Sequence, residues 1–322
     1  MIIITGAAGF LGSELARHLA MKGEDLCCLK RDFNDVPAFL IPFGDKITWF
    51  DVDMVDYAAL ETTFKGATQV YHCAALVSFR EQHRAAMISN NVQVTINVVA
   101  LCKQMGARLL HVSSVAAIGL AEQGELITED LQLDLNKPQD GYTISKFKSE
   151  AEVWKGIADG LDAVVVNPSV MIGKSIGKKG SGEIFETMRK GMPFYTLGSV
   201  GFVDVEDVAR CMILLMHSAV SAQRFILNAD NVDYKNFGAR VSHAFNKPAP
   251  KIPILPWVLE LAWRGASIWS FITGKGPAID KATAKNISRN YRYDNSKIRR
   301  TIGFDFKPLS QTITEICENL KP

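Results

Sequence analysis

Tyr142 and Lys146 stand four residues apart in the run Tyr142-Thr143-Ile144-Ser145-Lys146. On a helix this spacing places a phenol and an ammonium on one face. A cation beside a phenol favours the phenolate and lowers a tyrosine pKa from about 10 towards working pH. Such a tyrosine can act as general acid or base on a carbonyl or alcohol oxygen. Spacing alone does not single this pair out, because Tyr293 and Lys297 repeat it. Context separates the two. Tyr142 opens a predicted helix after a strand that ends in Val112-Ser113-Ser114, and ligands of doubly wound sheets bind beyond the C-terminal strand ends.

A second run carries binding rather than proton chemistry. Thr5-Gly6-Ala7-Ala8-Gly9-Phe10-Leu11-Gly12 follows the first predicted strand and opens the first helix. Gly6 permits the tight turn, Gly9 lets the backbone approach a pyrophosphate, and Gly12 lets the helix pack on the strand. With Ala8, Phe10 and Leu11 they form a loop whose helix N-terminus offers N–H groups to phosphates. The G-x-x-G-x-x-G spacing departs from the general G-x-G-x-x-G fingerprint, and glycines here could serve the turn alone. Strand two ends in Leu29-Lys30-Arg31-Asp32. Lys30 and Arg31 suit the 2′-phosphate of NADP, whereas Asp32 turned inward would favour NAD. NADP is the expected cofactor, with NAD as the alternative.

These groups need a scaffold, and the chain supplies one. Short apolar runs near 2–5, 25–30, 47–52, 69–73, 108–113 and 162–167 read as strands buried on both faces. Helical patterns near 10–22, 56–64, 84–105 and 143–158 separate them, which predicts an α/β doubly wound parallel sheet. After Pro168 the reading is a loop with one short helix near 183–190, a helix at 204–217, a strand at 224–228 and a mostly helical remainder. The predicted cofactor domain is 1–167 with 202–229, and the substrate-binding part is 168–201 with 230–322.

Composition bounds the rest. The 322 residues are 48% hydrophobic and 22% charged with a net charge of +2, so disorder and a nucleic-acid partner held by bulk charge are not expected. Six Cys without a C-x-x-C pair point to a reducing compartment and no metal. Met1 runs straight into the first strand, leaving no room for a signal peptide, and the cytoplasm is the expected location.

Eight motifs together resemble one family, the extended short-chain dehydrogenase/reductases. They are Thr5–Gly12, Asp53-Met54-Val55-Asp56, His72-Cys73-Ala74-Ala75, Asn91-Val92, Ser113-Ser114, Tyr142–Lys146, Asn167-Pro168-Ser169-Val170 and 202–209. The resemblance implies a Rossmann fold, with Ser114, Tyr142 and Lys146 catalytic. It places Asp53 and Met54 at the adenine and Ala74 and Ala75 along the pyrophosphate and ribose. Asn91, Ser113, Asn167 and Pro168 join them as cofactor-side positions. Ser114 would hold the substrate oxygen beside Tyr142, while Lys146 would hold the ribose and keep the phenol's pKa low.

Within the family, Ser113-Ser114-Val115-Ala116 lacks the Thr-Asp-Glu of sugar-nucleotide dehydratases. Lys30-Arg31-Asp32 is similar to the Val-Arg-Asp run of dihydroflavonol-reductase-like enzymes, and the Asn167-Pro168-Ser169 turn is similar to that group and to hydroxysteroid dehydrogenases. The expected reaction is therefore hydride transfer between NADP(H) and a carbonyl or secondary alcohol on a small hydrophobic or ring-shaped substrate. An NAD-dependent sugar-nucleotide epimerase and a non-catalytic NADP-binding sensor or scaffold are the alternatives. Relatives suggest a homodimer through helices 84–105 and 143–158, with Val153, Trp154 and Ile157 in the contact. Residues 254–272 carry three of the five Trp and are read mainly as a cap on the substrate part, without membrane contact.

Overall fold

A computed structural model describes residues 1–31, 36–78, 80–122, 124–175, 181–261, 263–264 and 288–321. Asp32, residues 265–287 and with them the second half of the Trp-bearing stretch 254–272 lie outside the described residues.

The first half alternates strand and helix. In order come β1 (Ile2–Thr5), α1 (Phe10–Met21), β2 (Leu26–Lys30), β3 (Ile47–Asp51), α2 (Tyr57–Phe64), β4 (Gln69–His72), α3 (Arg84–Met105), β5 (Arg108–Val112), α4 (Gly141–Ala158) and β6 (Ala163–Pro168). Then follow β7 (Val170–Ile172), α5 (Ser181–Arg189), β8 (Phe194–Thr196), β9 (Ser199–Asp204), α6 (Val205–Met216), β10 (Gln223–Leu227) and β11 (Asp230–Asp233). The last are α7 (Tyr234–Ala244), β12 (Ile252–Ile254), α8 (Ser296–Ile302) and α9 (Leu309–Asn319).

Seven strands form one parallel sheet in the order β10-β6-β5-β4-β1-β2-β3. The chain winds outward from β1 to β3, then returns to β4 on the other side of β1. That reversal opens a crevice beyond the C-terminal ends of β1 and β4, where ligands of open α/β sheets bind. The register is tight: Thr5 pairs with Leu29 on one side and with His72 on the other.

Alternation along each strand feeds two cores. Ile2 and Ile4 pack with Leu11, Leu15 and Leu19 of α1 and Val208 and Met212 of α6 on one face. Ile3, Val70, Leu109 and Val165 pack with α2, α3 and α4 through Leu60, Phe64, Val98 and Val153 on the other. The stretch Glu81–Met105 is long and apolar enough to cross a membrane by composition. Val94, Val98, Leu101 and Cys102 spend that apolarity on the sheet, so α3 is a core helix.

The part after β6 carries the expected helices, among them α5, α7, α8 and α9, and adds short strands beside them. A three-stranded sheet β11-β9-β7 and a two-stranded sheet β12-β8 form there, although the sequence of 173–201 reads as loop and one helix. These strands are three to six residues long and pair with distant partners, so no apolar run announces them. Phe185, Phe202, Phe237, Ile313 and Ile316 make a third core between this sheet and α5, α7 and α9.

Candidate active site

The crevice is built by close backbone contacts that only glycine permits. Gly6 has φ +66°, and a Cβ there would stand 2.7 Å from Ala74 Cα, so the loop after β1 lies directly on the chain leaving β4. A Cβ on Gly12 would meet the Gly6 carbonyl at 2.2 Å, which locks α1 against the same loop. Gly9 precedes α1 without a side-chain cap, so the first-turn N–H groups of the helix carry no side-chain partner.

Beyond these strand ends lies a cavity of about 660 Å³. Gly6, Ala8 and Gly9 line it from the loop, and Lys30 and Arg31 from the end of β2. Asp53 and Met54 join from the segment after β3, Ala74 and Ala75 from the segment after β4, and Asn91 from α3. Ten of the expected cofactor positions thus share one cleft. Lys30 is buried, whereas Arg31 stands exposed at the rim. Leu11 and Gly12 are buried in the first turn of α1, Phe10 packs between two cores, and Pro168 closes β6 opposite Leu227. These four support the cleft from behind. The cradle, its two cations and its uncapped helix end fit a dinucleotide.

Buried polar side chains hold the cleft in shape, and Thr95 and Asn97, which no sequence motif singled out, join Thr5, His72 and Asn91 in doing so. Thr95 donates to the Asn91 carbonyl at 2.8 Å, so its oxygen accepts from His72 Nε2 at 3.3 Å. His72 Nδ1 then accepts from Thr5 Oγ1 at 2.7 Å, and that oxygen takes the Ala74 N–H at 3.2 Å. Burial drives His72 down to about 3, so the chain of bonds stays neutral. Asn91 clamps both backbone groups of Leu76 and donates to Ser145 Oγ at 2.9 Å. Asn97 holds the carbonyls of Met54 and Val55, each at 3.0 Å.

The proton-transfer candidates meet at the ends of β5 and α4. Asp140 caps α4 by accepting from the Thr143 N–H at 2.8 Å and its hydroxyl at 2.9 Å, which sets Tyr142 in the first turn. Ser114 Oγ accepts the Ala116 N–H at 3.1 Å and is hydrogen-bonded to the Tyr142 phenol. Lys146 is buried, and its Nζ donates to the Val112 carbonyl at 3.0 Å. Ser113 points elsewhere: its hydroxyl donates to Glu150 at 2.5 Å. Asn167 is fully buried and donates to the Ser114 carbonyl at 3.0 Å, so it shapes the site through backbone.

One expectation is corrected here. Lys146 does not pull the Tyr142 phenol down in this structure: burial pushes the phenol above its ordinary value, opposed by the hydrogen bond from Ser114. Burial also pushes Lys146 down to about 8, against the pull of Cys73 and Glu150. Enclosure disfavours both charged forms, and the ammonium spends its bond on a carbonyl.

A smaller cavity of about 220 Å³ adjoins Tyr142 on the side of the C-terminal part. Ile118, Leu120, Ile127 and Val200 line it together with Tyr234, Tyr291, Tyr293 and Arg289. The Ile127 N–H donates to the Arg292 carbonyl at 2.7 Å, and the Asp294 N–H to the Ile127 carbonyl at 2.9 Å, so two distant loops meet here. The Tyr-Arg-Tyr alternation at 291–293 was the available signal for it.

Other sequence candidates have structural duties. Glu206 pairs with Arg17, Lys174 and Lys307, and Asp207 accepts from the Lys307 N–H, which docks α6. Glu14, His18 and Glu206 gather closely enough to hold a cation, yet Arg17 and two lysines already neutralise these carboxylates. Val153 is buried in the core, and Trp154 and Ile157 are half-buried against it.

Comparison with known proteins agrees with this geometry. A putative dihydroflavonol 4-reductase of Synechocystis sp. is 29% identical over 97% of this chain and 92% of its own. UDP-glucose 4-epimerase of Vibrio cholerae is 22% identical over 98% of this chain and 92% of its own. The crystal structure of gox2253 superposes with a TM-score of 0.84 at 24% identity, over 99% of this chain and 97% of that one. The model of the NAD dependent epimerase/dehydratase family matches residues 2–228. With that match on a parallel sheet whose glycine loop faces a dinucleotide-sized cleft, the chain belongs to the NAD dependent epimerase/dehydratase family.

Proposed function

We propose that the protein is an NADP(H)-dependent oxidoreductase that interconverts a carbonyl and a secondary alcohol on a small hydrophobic or ring-shaped molecule. The observation that carries this reading is the placement of Ser114, Tyr142 and Lys146 together, with Tyr142 lining the small tyrosine-rich pocket. When bound, the reduced nicotinamide supplies the hydride for the carbonyl carbon. Tyr142, protonated by virtue of its enclosure, gives its proton to the substrate oxygen, and Ser114 holds that oxygen beside it. Lys146 stands one helical turn behind Tyr142 and holds the ribose side of the cofactor. Alcohol oxidation runs the same proton path backwards.

Arg31 and Lys30 at the end of β2 support NADP, since guanidinium and ammonium groups both bind a phosphate. The pocket of about 220 Å³ is below the roughly 300–1,000 Å³ of sites for drug-sized ligands. Aliphatic and aromatic side chains supply much of its described wall, beside the polar Gln139, Asp140, Thr143 and Arg289, and the small volume supports a compact ring over a nucleoside diphosphate sugar. The match to an epimerase over 98% of the chain keeps one other reading open, an epimerase that retains NAD. A homodimer in the cytoplasm accompanies our reading, and size-exclusion chromatography with light scattering tests the assembly.

Tryptophan-to-cofactor energy transfer, titrated with NADPH and NADH in parallel, tests the cofactor. Preference for NADPH, followed by turnover of aromatic or alicyclic ketones and aldehydes, is the expected result. Protein that arrives with NAD tightly held and reduces no carbonyl overturns the proposal in favour of epimerisation.

A further inference from the structure

Tyr142, Lys146 and Glu150 recur every four residues along α4, so one helix face carries a phenol, an ammonium and a carboxylate. Glu150 is only 2% exposed, and four donors converge on its two oxygens. Ser113 Oγ at 2.5 Å and Asn167 Nδ2 at 2.8 Å reach Oε2. Arg224 Nη1 at 3.0 Å and Trp154 Nε1 at 3.1 Å reach Oε1. Four donors and no acceptor are what a carboxylate, rather than a carboxylic acid, requires.

The partners of this carboxylate lead into the site. The Asn167 nitrogen that binds Glu150 also donates to the Ser114 carbonyl, so one side-chain amide spans the carboxylate and the backbone of the substrate-holding serine. Arg224 on β10 completes the anchorage by donating to the carbonyls of Glu129 and Leu131, each at 2.8 Å. On the other side stands Lys146, enclosed with Cys73, His72, His111 and Tyr142. Burial pushes the Cys73 thiol up to about 12 and holds both histidines below their ordinary value, so none of these carries charge at neutral pH. A buried ammonium needs an anion close by.

We infer that Glu150 is a positioning residue of this site, fixing Ser114 through Asn167 and setting the negative charge that faces Lys146. The assignment rests on the reading of Ser114 and Lys146 as the working residues. Its first test, the titration of Lys146, does not depend on the substrate. Removing the charge with Glu150→Gln leaves Lys146 enclosed without its anion, so the ammonium gives up its proton at lower pH. Glu150→Asp keeps the charge while shortening the reach towards Asn167.

The experiment follows the Lys146 Cε resonance against pH in full-length protein carrying 13C-labelled lysine. The resonance is assigned by its loss in Lys146→Met. In Glu150→Gln the Lys146 midpoint is expected to fall by about one pH unit, within the range of a neighbouring opposite charge, while Glu150→Asp holds it. Should Glu150→Gln fail to fold, Asn167→Ala provides the second arm. It is expected to leave the Lys146 midpoint in place and to lower turnover of a ketone identified with the native enzyme at least tenfold. A Lys146 midpoint unmoved in folded Glu150→Gln, or full turnover in folded Asn167→Ala, overturns the inference. Loss of the oxidoreductase reading shows differently, as absence of ketone turnover in the unaltered protein.

Discussion

Two tyrosine–lysine pairs share one spacing and have opposite fates. Tyr142 and Lys146 lie on one helix at the end of β5, and the phenol meets Ser114. Tyr293 precedes α8, and Lys297 turns away from it to donate to the Arg224 carbonyl at 3.0 Å and to lie 4.9 Å over the Phe225 ring. The second lysine ties α8 to the edge strand of the sheet. The second tyrosine serves as wall, anchored by its backbone to Asn231. Spacing supplies two groups that can meet; only a helix that starts before the tyrosine makes them share a face.

The largest expected effect separates the pairs by chemistry. Tyr142→Phe removes the proton donor and should lower turnover by about 10²–10⁴-fold, the usual worth of positioned acid–base catalysis, with NADPH binding unchanged in the fluorescence titration. Equal losses in binding and turnover would instead mark Tyr142 as a cofactor ligand.

Lys146→Met should abolish most turnover and yet stabilise the fold. The folded-state pKa of Lys146, about 8, lies below its ordinary 10.5. Between those values the unfolded chain holds more protons, so this group makes stability rise with pH; below pH 8 its full burial penalty is present. Removing it should gain on the order of 2–3 kcal/mol at pH 7 and flatten the rise towards pH 10, read from denaturant midpoints. Tyr142, with its raised pKa, acts with opposite sign only above pH 10, where the unfolded chain loses its proton first.

Arg31→Ala should weaken NADPH about tenfold, as loss of one charge-assisted bond does, and leave NADH unchanged. Equal weakening of both would remove the phosphate from the role of Arg31. The smallest effect belongs to the second pair. Lys297→Met should cost about 1 kcal/mol or less, the scale of a cation–π contact, seen as a small fall in Tm with unaltered turnover. A loss of activity there would show that the second pair also serves the site.

What could be read from the sequence followed burial. Strands β1, β2, β5 and β6 are enclosed on both faces, so each is an apolar run. Strands β8 and β12 are half-exposed triplets, one containing Pro253, and nothing in their residues distinguishes them from loop. The same contrast divides the site. Tyr142 and Ser114 stand where strand and helix ends put them, whereas Glu150 in Lys148-Ser149-Glu150-Ala151 looks like any solvated glutamate until Arg224 and Asn167 are found around it. The tyrosine wall forms where the segments around Ile127 and Arg292 meet, and the alternation at 291–293 marks the tyrosines without naming the segment they face.

The Glu150–Arg224 pair also bears on the order in which the molecule is made. Synthesis delivers the glycine loop, both serines, Tyr142, Lys146 and Asn167 long before it delivers Arg224, which lies 74 residues after its carboxylate. Until β10 emerges, seating α4 on the sheet would bury Glu150 without the guanidinium that binds its Oε1, which is unfavourable. The last strand to join the sheet thus brings the guanidinium that anchors the buried carboxylate of α4.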